Sequence, residues 1–303
     1  MKRAIPLFAL ILAAQASAQT GADSINHIVD SLFTRASSGE LKYRELVQPS
    51  KETLGEMGED AMPRLVEKMT TQDAREMHTL VDIFKLIGRP AVPRIVDALG
   101  AEDPYKRRLA ARALGDMKDT MAVDGLLQYT DDPDYRIRAG VIRALGKIGD
   151  SGGVAPSVAA LKDEDYLVRT AAAVSLSFLA DSSTINTLLK ALTDPYYGVR
   201  YKAAQALWNI GEPSIISVKE SLKNVDDTVA FYLLIEVAGN LKDKRLIKPL
   251  SKILASEDPM ARAFTVEALG KIDTKKSKKI LRKRKAEETH PFVLGKLSAI
   301  ELD

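Results

Sequence analysis

Apolar positions recur along this chain with two superposed periods. Within short windows they follow the i, i+3, i+4, i+7 spacing of an amphipathic helix, as at Ile185, Leu188, Leu189 and Leu192. Over a longer range, a step of 31 residues sets Leu114, Leu145, Leu176, Leu207, Ala238 and Leu269 in one register. Three residues beyond these rungs stand Met117, Ile148, Leu179, Ile210, Leu241 and Ile272, again all apolar. Polar positions keep the same step. Arg107, Arg138, Arg169, Arg200 and Arg262 each lie seven residues before a rung, and Phe231 interrupts the series. Asp119, Asp150, Asp181, Glu212 and Asp243 follow five residues after a rung. A stack of similar supersecondary units needs such registration; a single globular core does not.

The unit from Ala180 to Ile210 shows the grammar. Asp181, Ser182 and Ser183 offer an N-cap for a first helix, accepting from its unpaired N–H groups. Asp194-Pro195 forms the turn, because proline cannot continue a helix. A second helix is expected from about Tyr196 to Ile210, buried through Val199, Ala203, Ala206, Leu207 and Ile210. Gly211 then ends it in a left-handed cap. Ala113, Ala144, Ala206 and Ala268 precede their rungs and allow close helix approach. No stretch alternates with the period of a strand, so the chain is expected to be all-α.

Leu54 and Phe84 extend the ladder upstream at spacings of 30, and Ile300 extends it downstream within a shortened last helix, Pro291 to Leu302. The fold expected is an α-solenoid of about eight to nine helical pairs. Ile25, Ile28, Val29, Leu32 and Phe33 mark an N-terminal amphipathic helix that caps the stack, with a joint at Ser37–Glu40. The organisation expected is a signal peptide over 1–18, a capping helix and linker over 19–49, and repeats over 50–303. The last of these includes a basic capping segment, 275–285.

The segments Asp132–Asp150, Asp194–Glu212 and, less faithfully, Asp163–Asp181 follow the string D-P-x-x-x-V-R-x-x-A-x-x-A-L-G-x-I-G-D. That string resembles the HEAT-like repeat of the phycobilisome-lyase type, over roughly residues 50–303. The resemblance implies the fold. Its relatives include chromophore lyases, an iron-dependent deoxyhypusine hydroxylase, DNA glycosylases and plain scaffolds, so fold alone selects no activity.

The N-terminus has the form of a secretory signal. Lys2 and Arg3 precede the apolar run Ala4–Ala14, and Ala16-Ser17-Ala18 forms a small-residue cleavage site that leaves Gln19 as the mature start. The apolar run is shorter than the roughly 20 residues that span a bilayer, and no later segment qualifies. An exported protein, periplasmic or secreted, is expected. The chain has no cysteine, which excludes disulfides, thiolate metal sites and lipoprotein acylation. The net charge of +3 falls to +1 without Lys2 and Arg3, and eight of the eleven residues 275–285 are basic, leaving about −7 elsewhere.

Candidate chemistry lies where the repeat is broken at outward positions of the second helices. Arg108, Arg112 and Arg143 could recognise acidic groups, and Trp208, Tyr201, Tyr232 and Gln205 could anchor a protein or peptide partner in the groove. Trp208, the sole tryptophan, replaces a Gly or Ser of neighbouring repeats and could instead be a packing residue. Arg107, Arg138, Arg169, Arg200 and Arg262 repeat with the fold and are expected to bond carboxylates or carbonyls of adjacent turns. Lys275, Lys276, Lys278, Lys279, Arg282, Lys283, Arg284 and Lys285 could form a capping helix or a patch for an anionic lipid, polysaccharide or acidic partner.

Catalysis has little support. His27, His78 and His290 lie far apart, and no His-Glu dipeptide of the hydroxylase type is present. No catalytic residue, metal or cofactor is expected. Export and the lack of aromatic residues among the basic ones argue against nucleic acid. The expectation is a non-enzymatic scaffold that binds a partner in its groove.

Overall fold

In a computed structural model, residues 21–302 are described; the expected signal peptide, 1–18, lies outside them. The described chain is helical throughout, with no strand. It divides into two compact units, residues up to Asp150 and residues from Ser151 onward. Both are stacks of helical pairs, the α-solenoid architecture.

The first unit opens with α1 (Gly21–Ser37), whose Val29, Leu32 and Phe33 are buried. It continues through α2 (Val47–Met57), α3 (Met62–Glu67), α4 (Ala74–Ile87) and α5 (Val92–Asp97). It ends with α6 (Pro104–Met117), α7 (Val123–Leu127) and α8 (Tyr135–Ile148). A 3-10 helix, Leu41–Leu46, runs directly into α2, so the linker expected up to residue 49 is helical from residue 41. The second unit runs through α9 (Val154–Ala160), α10 (Tyr166–Leu179), α11 (Ile185–Ala191), α12 (Tyr197–Ile210) and α13 (Ile215–Asn224). It closes with α14 (Thr228–Asn240), α15 (Ile247–Ile253), α16 (Pro259–Ile272), α17 (Lys275–Glu287) and α18 (Pro291–Ser298).

The rungs sit where the 31-residue step requires. Leu54, Phe84, Leu114 and Leu145 are wholly enclosed in the first unit, as are Leu176, Leu207, Ala238 and Leu269 in the second. Removing one such leucine would cost about 2–5 kcal/mol. An aspartate precedes most second helices and caps them. Asp73, Asp103, Asp134, Asp165, Asp227 and Asp258 each accept from an amide of the first turn. At α12 the N-cap is Tyr196, which offers no side-chain acceptor. Asp194 there accepts from the Tyr196 amide instead, at 2.8 Å.

First helices start differently from the expectation. Asp119, Asp181 and Asp243 accept from the amide two residues on, and a three-residue 3-10 turn precedes α7, α11 and α15. The same 3-10 start precedes α3, α5 and α13, where no side chain caps it, so the aspartate satisfies an amide of the turn without deciding its type. Second helices end in positive φ at Gly88, Gly149 and Gly211. Gly149 is left-handed, as are Lys118, Ala180 and Asp273, and Lys242 has a φ of 50°. Gly88 and Gly211 instead have ψ of −144° and −133°, so the left-handed cap expected at Gly211 gives way to a conformation that favours glycine still more.

Candidate functional site

An arginine-lined groove lies within the first unit, between α6 and α8. A Cβ on Gly115 would stand 2.8 Å from the Ala144 Cα, and one on Gly140 would stand 3.3 Å from the Ala111 Cβ. The helices are thus too close for ordinary side chains along their seam, and Ala111, Gly115, Gly140 and Ala144 form a low floor. Long residues rise on either side of it. Arg108 and Arg112 stand one turn apart on α6; Arg136, Arg143 and Lys147 share a face of α8. They enclose about 470 Å³ with one carboxylate, Asp116. Lys147 binds Asp116 at 2.6 Å, and Arg112 stands 3.7 Å from it. Arg108 lies over the Tyr105 ring at 4.5 Å, and Arg136 over Tyr135 at 4.5 Å. Arg108 Nε also donates to the Pro104 carbonyl at 3.1 Å, so the aromatic face and this carbonyl fix the guanidinium at the groove's edge. Arg143 is exposed and has no ion-pair partner among the described residues.

Arg108, Arg112 and Arg143 therefore come together, as the repeat spacing implied. Arg136 and Lys147 were missed by the sequence reading. Their signal was available: 136, 140, 143 and 147 fall on one helical face with two glycine-or-arginine steps between them.

The aromatic candidates lie in the second unit. Trp208 is half-buried against the core, edge-on to Tyr201 at 6.3 Å; Tyr201 in turn stacks on Tyr197 at 6.3 Å. The position of Trp208 explains its size. One residue after their rungs, Gly115 and Gly239 leave no room, since a Cβ on Gly239 would meet the Ala268 Cα at 2.6 Å. Helices α12 and α14 lie less closely together than α14 and α16 do, which leaves room at this position for a larger side chain. Gln205 accepts from Lys202 at 2.7 Å.

Tyr232 is placed differently from the groove anchor expected. Its hydroxyl donates to Asp258 at 2.7 Å, and its ring stacks on Phe264 at 5.2 Å. The Asp258 carboxylate accepting its proton raises the phenol to about 12. The contact takes the place of the missing arginine at Phe231. In the repeat series, Arg107 bonds Asp132 and the Leu99 carbonyl, and Arg200 bonds Asp227 at 2.9 Å and the Asp194 carbonyl. Arg169 grips Asp194 through Nε at 2.7 Å and Nη2 at 3.1 Å. Arg138 donates to the Asp132 carbonyl at 2.8 Å. Arg262 makes a bidentate pair with Glu288, both contacts 3.0 Å. Each guanidinium thereby ties a helix to the turn carbonyls or acid beside it, and Tyr232 performs the same tie with a neutral donor.

The basic segment forms α17. Arg284 bonds Glu288, Arg282 donates to the Leu302 carbonyl at 2.6 Å, and Lys278 and Lys283 pair with Asp273 and Glu287. Lys275, Lys276, Lys279 and Lys285 are exposed. Among the described residues, no group of three or more His, Cys, Asp or Glu is arranged to hold a metal ion. No helix there is long and apolar enough to cross a membrane.

A family model described as HEAT repeats matches residues 92–177, 154–231 and 219–300. No curated protein matches by sequence. Solved structures share the fold at low identity. The YibA protein of Escherichia coli has a TM-score of 0.52 at 19% identity, covering 86% of this chain and 97% of its own. The CpcE–CpcF complex of phycocyanin lyase from Nostoc sp. PCC7120 has a TM-score of 0.42 at 22% identity, covering 69% and 94%. Human deoxyhypusine hydroxylase in complex with glycerol has a TM-score of 0.37 at 20% identity, covering 84% and 97%. The likeness to YibA concerns the fold, and a fold alone assigns no activity.

Proposed function

The chain belongs to the HEAT-repeat family, and from that premise we propose that it is an exported, non-enzymatic scaffold that captures an acidic segment of a protein or peptide partner. The observation that supports this is the groove between α6 and α8, where four arginines and a lysine converge with a single carboxylate. Planar guanidiniums suit carboxylates, which they grip through paired donors. The small-residue floor admits an extended backbone between the arginine rows. Export rests on the signal-like residues 1–18; the non-enzymatic reading rests on three histidines that lie far apart in sequence.

The test is fluorescence anisotropy with a labelled hexaglutamate peptide against the parent chain, Arg108→Ala, Arg143→Ala and Lys118→Ala. A charged hydrogen bond contributes roughly 1.5–3 kcal/mol, so each arginine variant should weaken binding by about tenfold or more. Lys118 is not among the groove-lining residues and should leave binding unchanged. Equal affinity for all four proteins would refute the groove. Export is tested separately, by N-terminal sequencing of the protein recovered outside the cytoplasm, with Gln19 expected first.

A further inference from the structure

The outer face of the second unit carries a lysine array that the arginine groove does not explain. Three first helices, α13, α15 and α17, lie side by side, with α15 shared between two neighbouring grooves. The groove between α13 and α15 encloses about 450 Å³ over Leu222, Pro249 and Ile253, and is rimmed by Lys219, Lys223, Lys248 and Lys252. The groove between α15 and α17 encloses about 630 Å³ over Leu254 and Ile280, and is rimmed by Lys276, Lys279 and Lys283. Only Glu287 among the lining residues of either groove is acidic. Lys248, Lys252, Lys276 and Lys279 are exposed and form no ion pair among the described residues. On the same face of α13 as Lys219 and Lys223, Ile216 stands 69% exposed.

We propose that this face docks on the surface of a bilayer containing anionic phospholipid. Cationic side chains rooted in apolar floors are built for that interface: lysine stems lie along apolar surface while their ammonium heads stay in the headgroup layer. Lysine acts as a point charge, suited to a mobile sheet of phosphates rather than to one fixed anion. Two parallel grooves spread the charge over three helices, which a compact ligand would not need. Neither groove is lined by an aromatic residue, so the stacking platform of a single-stranded nucleic-acid site is missing. Exposed Ile216 supplies an apolar insertion beside the charges.

The experiment is vesicle flotation of the purified chain, with the same N-terminus in every variant. Phosphatidylglycerol–phosphatidylcholine vesicles are compared with phosphatidylcholine alone, at low and high salt. A lysine near an anionic leaflet strengthens partitioning roughly fivefold. The parent should float with the anionic vesicles and be released by salt, and Lys248→Gln/Lys252→Gln should lower partitioning by roughly 25-fold. Neither lysine holds a structural contact, so the double variant should fold as the parent does. Ile216→Asn should weaken flotation without altering its salt dependence, and Arg143→Ala should leave it unchanged. Equal flotation with both lipids, undiminished flotation of the lysine variant, or binding to heparin or single-stranded DNA without flotation would each overturn the proposal.

Discussion

Replacing Arg262 with leucine should destabilise the end of the second unit by about 3 kcal/mol. Arg262 is 9% exposed and Glu288 7% exposed. The guanidinium donates twice to Glu288 and also to the carbonyls of Ser256 and Glu257, both at 2.9 Å. Leucine would leave two carbonyls without these donors and a buried carboxylate held by Arg284 and the amides of Thr289 and His290. Breaking a buried pair by removing one partner costs about 3–5 kcal/mol, and the surviving Arg284 contact points to the lower end. The acidity of Glu288 supports a similar size. Burial pushes its carboxyl up, but Arg262, the His290 amide and Arg284 outweigh burial and bring it from 4.5 to about 2. That displacement is worth about 3 kcal/mol for all partners together. Because the folded value is depressed, this stability is fully present above pH 4.5 and is lost as pH falls through about 2. Glu288→Gln should therefore flatten the acid limb of the unfolding curve. Repeats interact with their neighbours only, so the loss in Arg262→Leu should appear as faster hydrogen exchange in α17 and α18, with α10 little changed. A loss below about 1 kcal/mol, or one spread evenly to α10, would refute this reasoning.

Further outcomes follow from the helix seams and caps. Gly239→Ala should destabilise by about 1–3 kcal/mol in urea titration, because its Cβ would strike α16. Gly295→Ala, where a Cβ meets nothing within 4 Å, should be neutral or stabilising by up to about 1 kcal/mol. Ala180→Gly and Lys242→Gly should each raise the melting temperature, relieving positive φ worth about 1 kcal/mol; a lowered value would show that these turns carry no strain. Tyr232→Phe should weaken the second unit by about 1–2 kcal/mol through loss of the Asp258 contact, read from the denaturation midpoint. Trp208→Ala should cost about 2–3 kcal/mol by removing a half-buried ring packed on the core and on Tyr201, while hexaglutamate binding at the other unit stays constant.

The second helices could be read from residue spacing because one face of each must be apolar at every turn, and the rungs mark that face. The 3-10 starts of the first helices could not. Asp134, Asp165 and Asp258 bond the second amide beyond them and begin α-helices directly, whereas Asp119, Asp181 and Asp243 make the same contact before a 3-10 turn, so the capping residue does not distinguish the two. The arginine groove was half read: Arg108, Arg112 and Arg143 stood out, while Arg136 and Lys147 share the face of Arg143 at helical spacing, and the Gly115–Ala144 seam brings that face beside α6. Trp208 differs. Its size is informative only beside the distance between α12 and α14, which no single repeat contains. Tyr232 was misread because a search for repeats compares like positions. Its hydroxyl reaches Asp258 from one residue beyond the arginine site.

That tyrosine has a consequence for how such a chain can be copied and rearranged. Where Arg107, Arg169 and Arg200 make the joint between repeats, the guanidinium donates to an aspartate at nearly the same spacing, so those joints resemble one another. Tyr232 and its acceptor, Asp258, lie 26 residues apart on successive units and form a matched set. A recombination that parts them, or sets an arginine repeat where Phe264 now stacks on the phenol, joins halves that no longer correspond. Tyr232 and Asp258 must therefore be kept together wherever the repeats at this joint are rearranged.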